Sequence, residues 1–334
     1  MQPVNDLTRG VCNGVTAYAI WGLSPLYWKT LADVPAMQLL GHRIVWSLPL
    51  LLVVLCVKGE LDALLHAVQA WRTMVVYVTS AVLLGVSYLL CLWSVNEGFI
   101  VDLSLGMYVN PLVSVLLGVI FCKEVLTKWQ WVAIVLAAAG MLVMAIDYGK
   151  FPWIALSIAL DYGLYGLVAK KAPLPPLQGV TIEFTLLTMP LVAYLLVMEH
   201  QGRGAFGHSG PTQDLLMVGL GLLTVVPQVL FAASAQSIPL SVLGIVQFLG
   251  PTISVLLGVF VYHESFGLVK GVAFGLVWVA LILFTMQSYQ HAKKESTTEW
   301  TDTSELELSS PQVLSNYSIT MEDDKSQIRS QCVV

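Results

Sequence analysis

Apolar residues along this chain arrive in long blocks, and polar residues gather in the short links between them. A hydrocarbon core about 30 Å thick needs roughly 20 apolar residues at about 1.5 Å of rise each. Ten runs approach or reach that length: 11–29, 37–57, 73–95, 103–122, 129–146, 152–169, 180–198, 214–234, 242–262 and 267–287. The links are short except 199–213, a glycine-rich loop carrying His200, Arg203 and His208. The pattern predicts ten transmembrane helices. It stops near residue 288, where Ser, Thr, Glu and Asp take over and no apolar period survives. Segment 289–334 is expected to be a disordered, acidic, Ser/Thr-rich cytosolic tail, read here as a solvated linker.

The blocks are not independent of one another. Residues 110–124 read NPLVSVLLGVIFCKE and residues 250–264 read GPTISVLLGVFVYHE, the same text at an offset of 140. Each copy reads as an apolar helix opened by a proline, Pro111 or Pro251, and closed by an acid, Glu124 or Glu264. The same offset pairs Arg43 with Glu183, Tyr88 with Gln228 and Asn96 with Gln236. Trp21-Gly22 aligns with Tyr165-Gly166 at 144, a drift close to one helical turn that keeps the same face. A repeat of this kind in a hydrophobic chain marks a duplicated transporter. The predicted units are 8–146 and 151–288, five helices each.

Charge placement orients the halves. With both termini in the cytoplasm, Arg9, Lys58, Arg72, Lys123, Lys128, Lys170, Lys171, Lys293 and Lys294 lie inside, against Lys29, Lys150, Arg203 and Lys270 outside. Five spans per half is odd, so the second half enters from the opposite side and the repeat is inverted. The expected fold is an all-α integral membrane protein, ten transmembrane helices as two inverted five-helix repeats, with the plasma membrane as the first assignment.

Composition agrees with that class. Hydrophobic residues make up 57% of the 334 and charged residues 11%, too few to cover a water-facing surface. The tail holds eight acids against four basic residues, so it carries −4 of the net −5. The remainder is near neutral, with no basic footprint for nucleic acid. Five scattered cysteines show neither metal-ligand nor disulfide-framework spacing, and no metal or cofactor is expected. The N-terminus lacks the basic region and cleavage site of a signal peptide, so the first span is expected to stay in the mature protein.

The stretches AIWGLSPLYWK (19–29), GHRIVWS (41–47), NPLVS (110–114), YGLVAKK (165–171) and VQFLGPT (246–252), in this order, resemble the RarD family of EamA-type transporters in the drug/metabolite transporter superfamily. The resemblance covers about residues 8–288. It implies a ten-helix permease of two inverted five-helix repeats, in a family linked to chloramphenicol sensitivity whose substrates are poorly defined. The acidic tail is not part of that family pattern.

Ionisable residues inside a span cost about 2.5–3.5 kcal/mol near the centre, so each needs a reason. Asp161 lies about nine residues into span six, a proton or substrate-amine site or else a structurally paired acid. Arg43, beside His42, has a planar fork that suits a carboxylate, either a substrate's or that of Asp161. Depth counting places Glu183 near the inner end of span seven, where it pairs or snorkels, and favours Arg43 with Asp161 over Arg43 with Glu183. His42 reads most simply as a core histidine. Glu124 and Glu264 sit at helix C-termini, which the dipole disfavours, and Lys128 and Lys270 are the nearby cations to test as partners. Pro111 and Pro251 kink or break their helices, and Asn110 and Gln247 stand ready to serve the freed backbone or a cavity. Trp21, Tyr88, Tyr108 and Tyr165 would give the path aromatic walls. Gly22, Gly106, Gly118, Gly140, Gly258 and Gly275 are expected to let helices approach closely.

Together these residues predict a permease or exporter moving a small organic metabolite or drug by alternating access, coupled to a proton or running as facilitated exchange. Its partners are that solute, the lipid bilayer and, if coupled, a proton. Two other readings stand beside it: a membrane-embedded enzyme such as an acyltransferase with His42 as base, and a scaffold or receptor acting through its tail.

Overall fold

The computed structural model describes residues 2–97, 99–261, 263 and 267–308. The described chain is helical, without a strand: α1 (Gln2–Trp28), a 3-10 turn (Lys29–Leu31), α2 (Ala36–Val45), α3 (Ser47–Lys58), α4 (Leu61–Ala67), α5 (Trp71–Asn96), α6 (Ile100–Phe121), α7 (Lys128–Tyr148), α8 (Trp153–Lys170), α9 (Pro176–His200), α10 (Pro211–Ser237), α11 (Leu240–Gln247), α12 (Leu249–Phe260) and α13 (Leu268–Leu308). The chain divides into two compact units, Met1–Thr285 and Met286–Val334. The second is described only to Leu308 and is helical there, beyond the residue at which composition predicts order to end. Residues 309–334 of the tail, and Glu264, lie outside the described residues.

Eight of the ten predicted runs appear as stretches long and apolar enough to cross a membrane, from Ala36–Lys58 through Leu268–Ser288. The other two runs are α1 and α8, helices of 27 and 18 residues that are not among those eight. They are the first helices of the two halves, and both are clasped by protein: α1 lies on α10, α11 and α12, and α8 on α5, α6, α10 and α11. Polar or interrupted spans at equivalent places in two repeats point to a transporter's working centre.

The contacts between halves repeat under exchange. α1 against α10 has its counterpart in α8 against α5, and α6 against α8 has its counterpart in α12 and α11 against α1. α2 and α3 against α10 answer α9 against α5, while α2–α9 and α6–α11 are mates meeting each other. Two five-helix repeats related by one pseudo-twofold axis produce this pattern. The largest apolar core is built from both halves, with Ala17, Ile44 and Leu84 beside Phe184, Phe231 and Leu243.

Prolines divide two spans. The run at 37–57 breaks at Trp46, and Pro49 explains it: its ring has no N–H for the Val45 carbonyl and crowds that turn. The run at 242–262 breaks at Phe248, one residue past Gln247, whose carbonyl Pro251 cannot bond. Pro111, by contrast, lies inside a continuous α6 and does not open it, so the two copies of the repeated text differ in helix construction. α9 begins at Pro176, four residues before its apolar run, because Gln178 is carried into the helix and bonds Glu60 at 3.3 Å. Gly22, Gly106 and Gly140 do sit in close helix contacts, but Gly275 has nothing within 4 Å of an added Cβ.

Candidate functional site

α5 carries serines every seven residues, at 80, 87 and 94, and a seven-residue spacing keeps them on one face. All three are buried, and that face meets α8 and α9. Ser80 donates to Glu183 Oε1 at 2.5 Å, and Ser87 donates to Asp161 Oδ2. Ser94 Oγ is buried with no partner among the described residues. Glu183 also accepts from Tyr165 Oη at 3.0 Å, and Tyr165 Oη in turn accepts from Gln228 Nε2 at 2.5 Å. A chain of four side chains from α5, α8, α9 and α10 therefore fixes Glu183.

Glu183 is 4% exposed, so of the two readings left open for it the structure shows the paired one. The early start of α9 puts it seven residues, about 10 Å, inside the helix. A carboxylate this deep is tolerated because three neutral groups supply and relay hydrogen bonds to it.

Arg43 does not pair with Asp161. Its Nε–H donates to Thr224 Oγ1 at 3.3 Å, and its Cζ lies 4.6 Å from the Tyr88 ring centroid and 5.8 Å from that of Trp28. Asp161 takes its hydrogen bond from Ser87 instead, and the described residues hold one ion pair, His208–Glu199 at the surface. The physical reason is position: Arg43 leaves α2 toward α10 and the aromatics, whereas Asp161 leaves α8 toward α5.

The repeat mates Trp21 and Tyr165 meet on one ring, with centroids 5.8 Å and 5.7 Å from Phe231. Next to Asp161, Tyr162 Oη lies 3.4 Å from Cys91 Sγ. Asn110 and Gln247 are joined directly, Asn110 Nδ2 donating to Gln247 Oε1 at 3.0 Å, and Ser114 donates to the same oxygen at 3.1 Å. Gln247 Nε2 is buried with no close hydrogen-bond partner among the described residues, and Tyr18 is the polar side chain beside Gln247. The pair thus stitches α6 to α11.

Two expected site residues stand elsewhere. Tyr108 bonds the Pro251 carbonyl at 3.1 Å and packs edge-on against Phe274, facing α12 and α13. His42 is buried with its ring 5.3 Å from Phe206 of the 201–210 loop, and no side-chain hydrogen bond links that ring to a described residue. That loop is held by Gln38, which donates to the Arg203 carbonyl and accepts from Ala205 N–H.

Glu124 also differs from expectation. Its two carboxylate oxygens accept from Leu240 N–H at 2.6 Å and Ser241 N–H at 2.8 Å, so its partner is the start of α11, not Lys128 or Lys270. The first N–H groups of a helix lack internal acceptors and carry partial positive charge, which an acid satisfies twice over. Ser80, Ser87 and Thr224 were missed in the sequence, although the seven-residue serine spacing was a usable signal.

The EamA-like transporter family model matches residues 8–146 and 151–286. An uncharacterized transporter, YojE of Bacillus subtilis, is 41% identical over 285 residues, 84% of this chain and 94% of that protein. Protein RarD of Streptomyces exfoliatus is 34% identical over 314 residues, 94% of this chain and 98% of its own. Protein RarD of Escherichia coli is 36% identical over 289 residues, 86% and 97% respectively. A solved crystal structure at 17% identity shares the fold, with a TM-score of 0.66 over 84% of this chain and 98% of that one.

Proposed function

Because the chain belongs to the EamA-like transporter family and is a multi-pass membrane transporter, we propose that it moves a small organic solute by alternating access between its two halves. The solute path follows the seam where α2, α5, α8, α9 and α10 meet, with all ten helices crossing the bilayer. Both termini face the cytoplasm, and the plasma membrane is the compartment.

One observation carries this reading: two buried acids, Asp161 and Glu183, and one arginine, Arg43, stand in the spans where the repeats meet, held by neutral hydroxyls and rings. A purely structural core has no use for them, since an ionisable group in a span is costly wherever an apolar one would do. Asp161 lies at the middle of the 18-residue α8, where a coupling proton would be taken up and released.

The test is flux through purified full-length protein in proteoliposomes under an imposed pH gradient. Flux that follows the gradient and loses that dependence in Asp161→Asn supports coupling. Dependence unchanged in the variant removes Asp161 from the role, and flux indifferent to the gradient leaves facilitated exchange.

A further inference from the structure

The charged groups of the seam are not equipped alike. Asp161 receives a hydroxyl from Ser87, and Glu183 receives hydroxyls from Ser80 and Tyr165. Both acids are thus supplied with donors by the protein itself. Arg43 is met by neutral oxygens instead. No carboxylate stands within ion-pair distance of it among the described residues; its Nε donates to Thr224, and the Tyr88 hydroxyl also hydrogen-bonds it.

A guanidinium carries five N–H donors and keeps its charge at any physiological pH. With Nε committed to Thr224 and the Tyr88 hydroxyl taking one further N–H, three donors remain on a fork of the width that a carboxylate bridges bidentately. The rings of Tyr88 and Trp28 supply flat apolar surface at 4.6 and 5.8 Å from the guanidinium carbon. Cation–π contact steadies the charge and the Tyr88 hydroxyl supplies one neutral acceptor, but no carboxylate among the described residues answers the charge. A solvated or ion-paired arginine needs no such setting, whereas one awaiting an anion does.

Resting on the transporter reading above, we propose that the solute is a flat organic carboxylate. Its two oxygens take the terminal nitrogens of Arg43, and its planar body lies against Tyr88 and Trp28. Thr224, at the centre of the 27-residue α10, holds the Nε edge so that the fork points to the solute.

The experiment uses full-length protein in proteoliposomes loaded with one of three probes on the same skeleton: 3-phenylpropionate, 3-phenylpropionamide or 3-phenylpropylamine. Efflux is measured against protein-free vesicles. The carboxylate is expected to leave about tenfold faster than the amide or the amine, a discrimination that one charge-assisted contact supplies. Arg43→Gln brings the carboxylate down to the amide's rate. Arg43→Lys, which keeps the charge but not the fork, falls between. Should Arg43→Gln fail to elute as a folded protein, Arg43→Lys carries the test through the ratio of carboxylate to amide flux. External chloride that inhibits as well as excess carboxylate reassigns the site to a simple anion and overturns the proposal. So does an amine or amide moved as fast as the carboxylate, or carboxylate flux unchanged in both variants; each leaves the transporter reading standing. Efflux of none of the three probes above background rejects the transporter reading together with this one.

Discussion

Ser80 and Ser87 stand two turns apart on one face of α5, and each gives its hydroxyl proton to a different buried acid, Glu183 on α9 and Asp161 on α8. Two turns is about 10 Å of rise, so the acids sit on either side of the middle of this 26-residue helix. A single helix of the first repeat therefore seats Asp161 and Glu183, buried acids of the second. The repeats are joined by polar chemistry at the depth where lipid would tolerate it least, and this ties stability and transport to the same few side chains.

Removing either hydroxyl strips an acid of its α5 donor. Ser87→Ala is expected to cost about 1–3 kcal/mol, the usual consequence of leaving a buried polar group short of a partner. Ser80→Ala should cost less, because Glu183 keeps Tyr165. Thermal unfolding of the purified variants in detergent checks the order, and Ser→Thr at either site should restore most of the loss. Equal and negligible shifts would mean that the acids do not depend on α5.

Glu124 closes the turn between α10 and α11 from one side while Lys170 Nζ closes it from the other, bonding the Ala235 and Ile238 carbonyls at 3.3 and 2.6 Å. Acid at the helix start and base at the helix end both follow the dipole. Glu124→Ala should lower stability by about 1–3 kcal/mol through the loss of two charge-assisted bonds. Glu124→Gln retains one acceptor and should lose about half as much. Lys128→Ala and Lys270→Ala should leave the melting temperature where it is, since neither cation is bonded to Glu124.

Why the sequence reached some of this and not the rest follows from what a one-dimensional pattern records. The 140-residue offset exposed Arg43 and Glu183 as mates because duplication preserves order, and the apolar runs located the helices because bilayer thickness sets their length. Depth was less secure. Glu183 was expected near the interface because its apolar run starts at 180, whereas α9 carries the polar Gln178 inside the helix and starts at Pro176. The pairing of Arg43 with Asp161 failed for a different reason: opposite charge is a property of two residues, but the direction in which each leaves its helix is not written in either. Pro111 and Pro251 share their text, yet only the second divides its span, since a proline's effect depends on whether neighbouring helices hold the turn before it.

At the surface, His208 Nε2 lies 2.9 Å from Glu199 Oε1, and the nearby carboxylate raises the imidazole above its ordinary range. A raised folded value means that the contribution is complete below about pH 6.5, the unfolded value, and fades as pH rises through the folded one. His208→Ala should therefore lower the melting temperature slightly in acid and not at all in alkaline buffer. The effect stays small because both side chains are more than half exposed. NMR titration of the histidine ring, with Glu199→Gln as the comparison, reads the shift directly.

The closest approach of a glycine to the backbone of the other repeat gives the sharpest test of the packing. A Cβ built on Gly221 would lie 2.6 Å from the Trp46 carbonyl carbon and 2.9 Å from the Ser47 nitrogen, backbone atoms with no rotamer to yield. Ser47 Oγ also bonds the Gly221 carbonyl at 2.9 Å and the Arg43 carbonyl at 2.6 Å, so the break between α2 and α3 is clamped to α10 at this point. Gly221→Ala must push α10 away from that break, at a cost of about 1–3 kcal/mol for overpacking. Because Arg43 is fixed through the same serine and through Thr224 one turn along α10, the displacement should reduce flux as well as stability. Gly275→Ala supplies the contrast: with nothing within 4 Å, it should leave flux unchanged and gain about 0.5–1 kcal/mol from helix propensity. If the two alanines behaved alike, α10 could not be bearing on the α2–α3 break, and the position of Arg43 would have to be explained by something other than the meeting of the repeats.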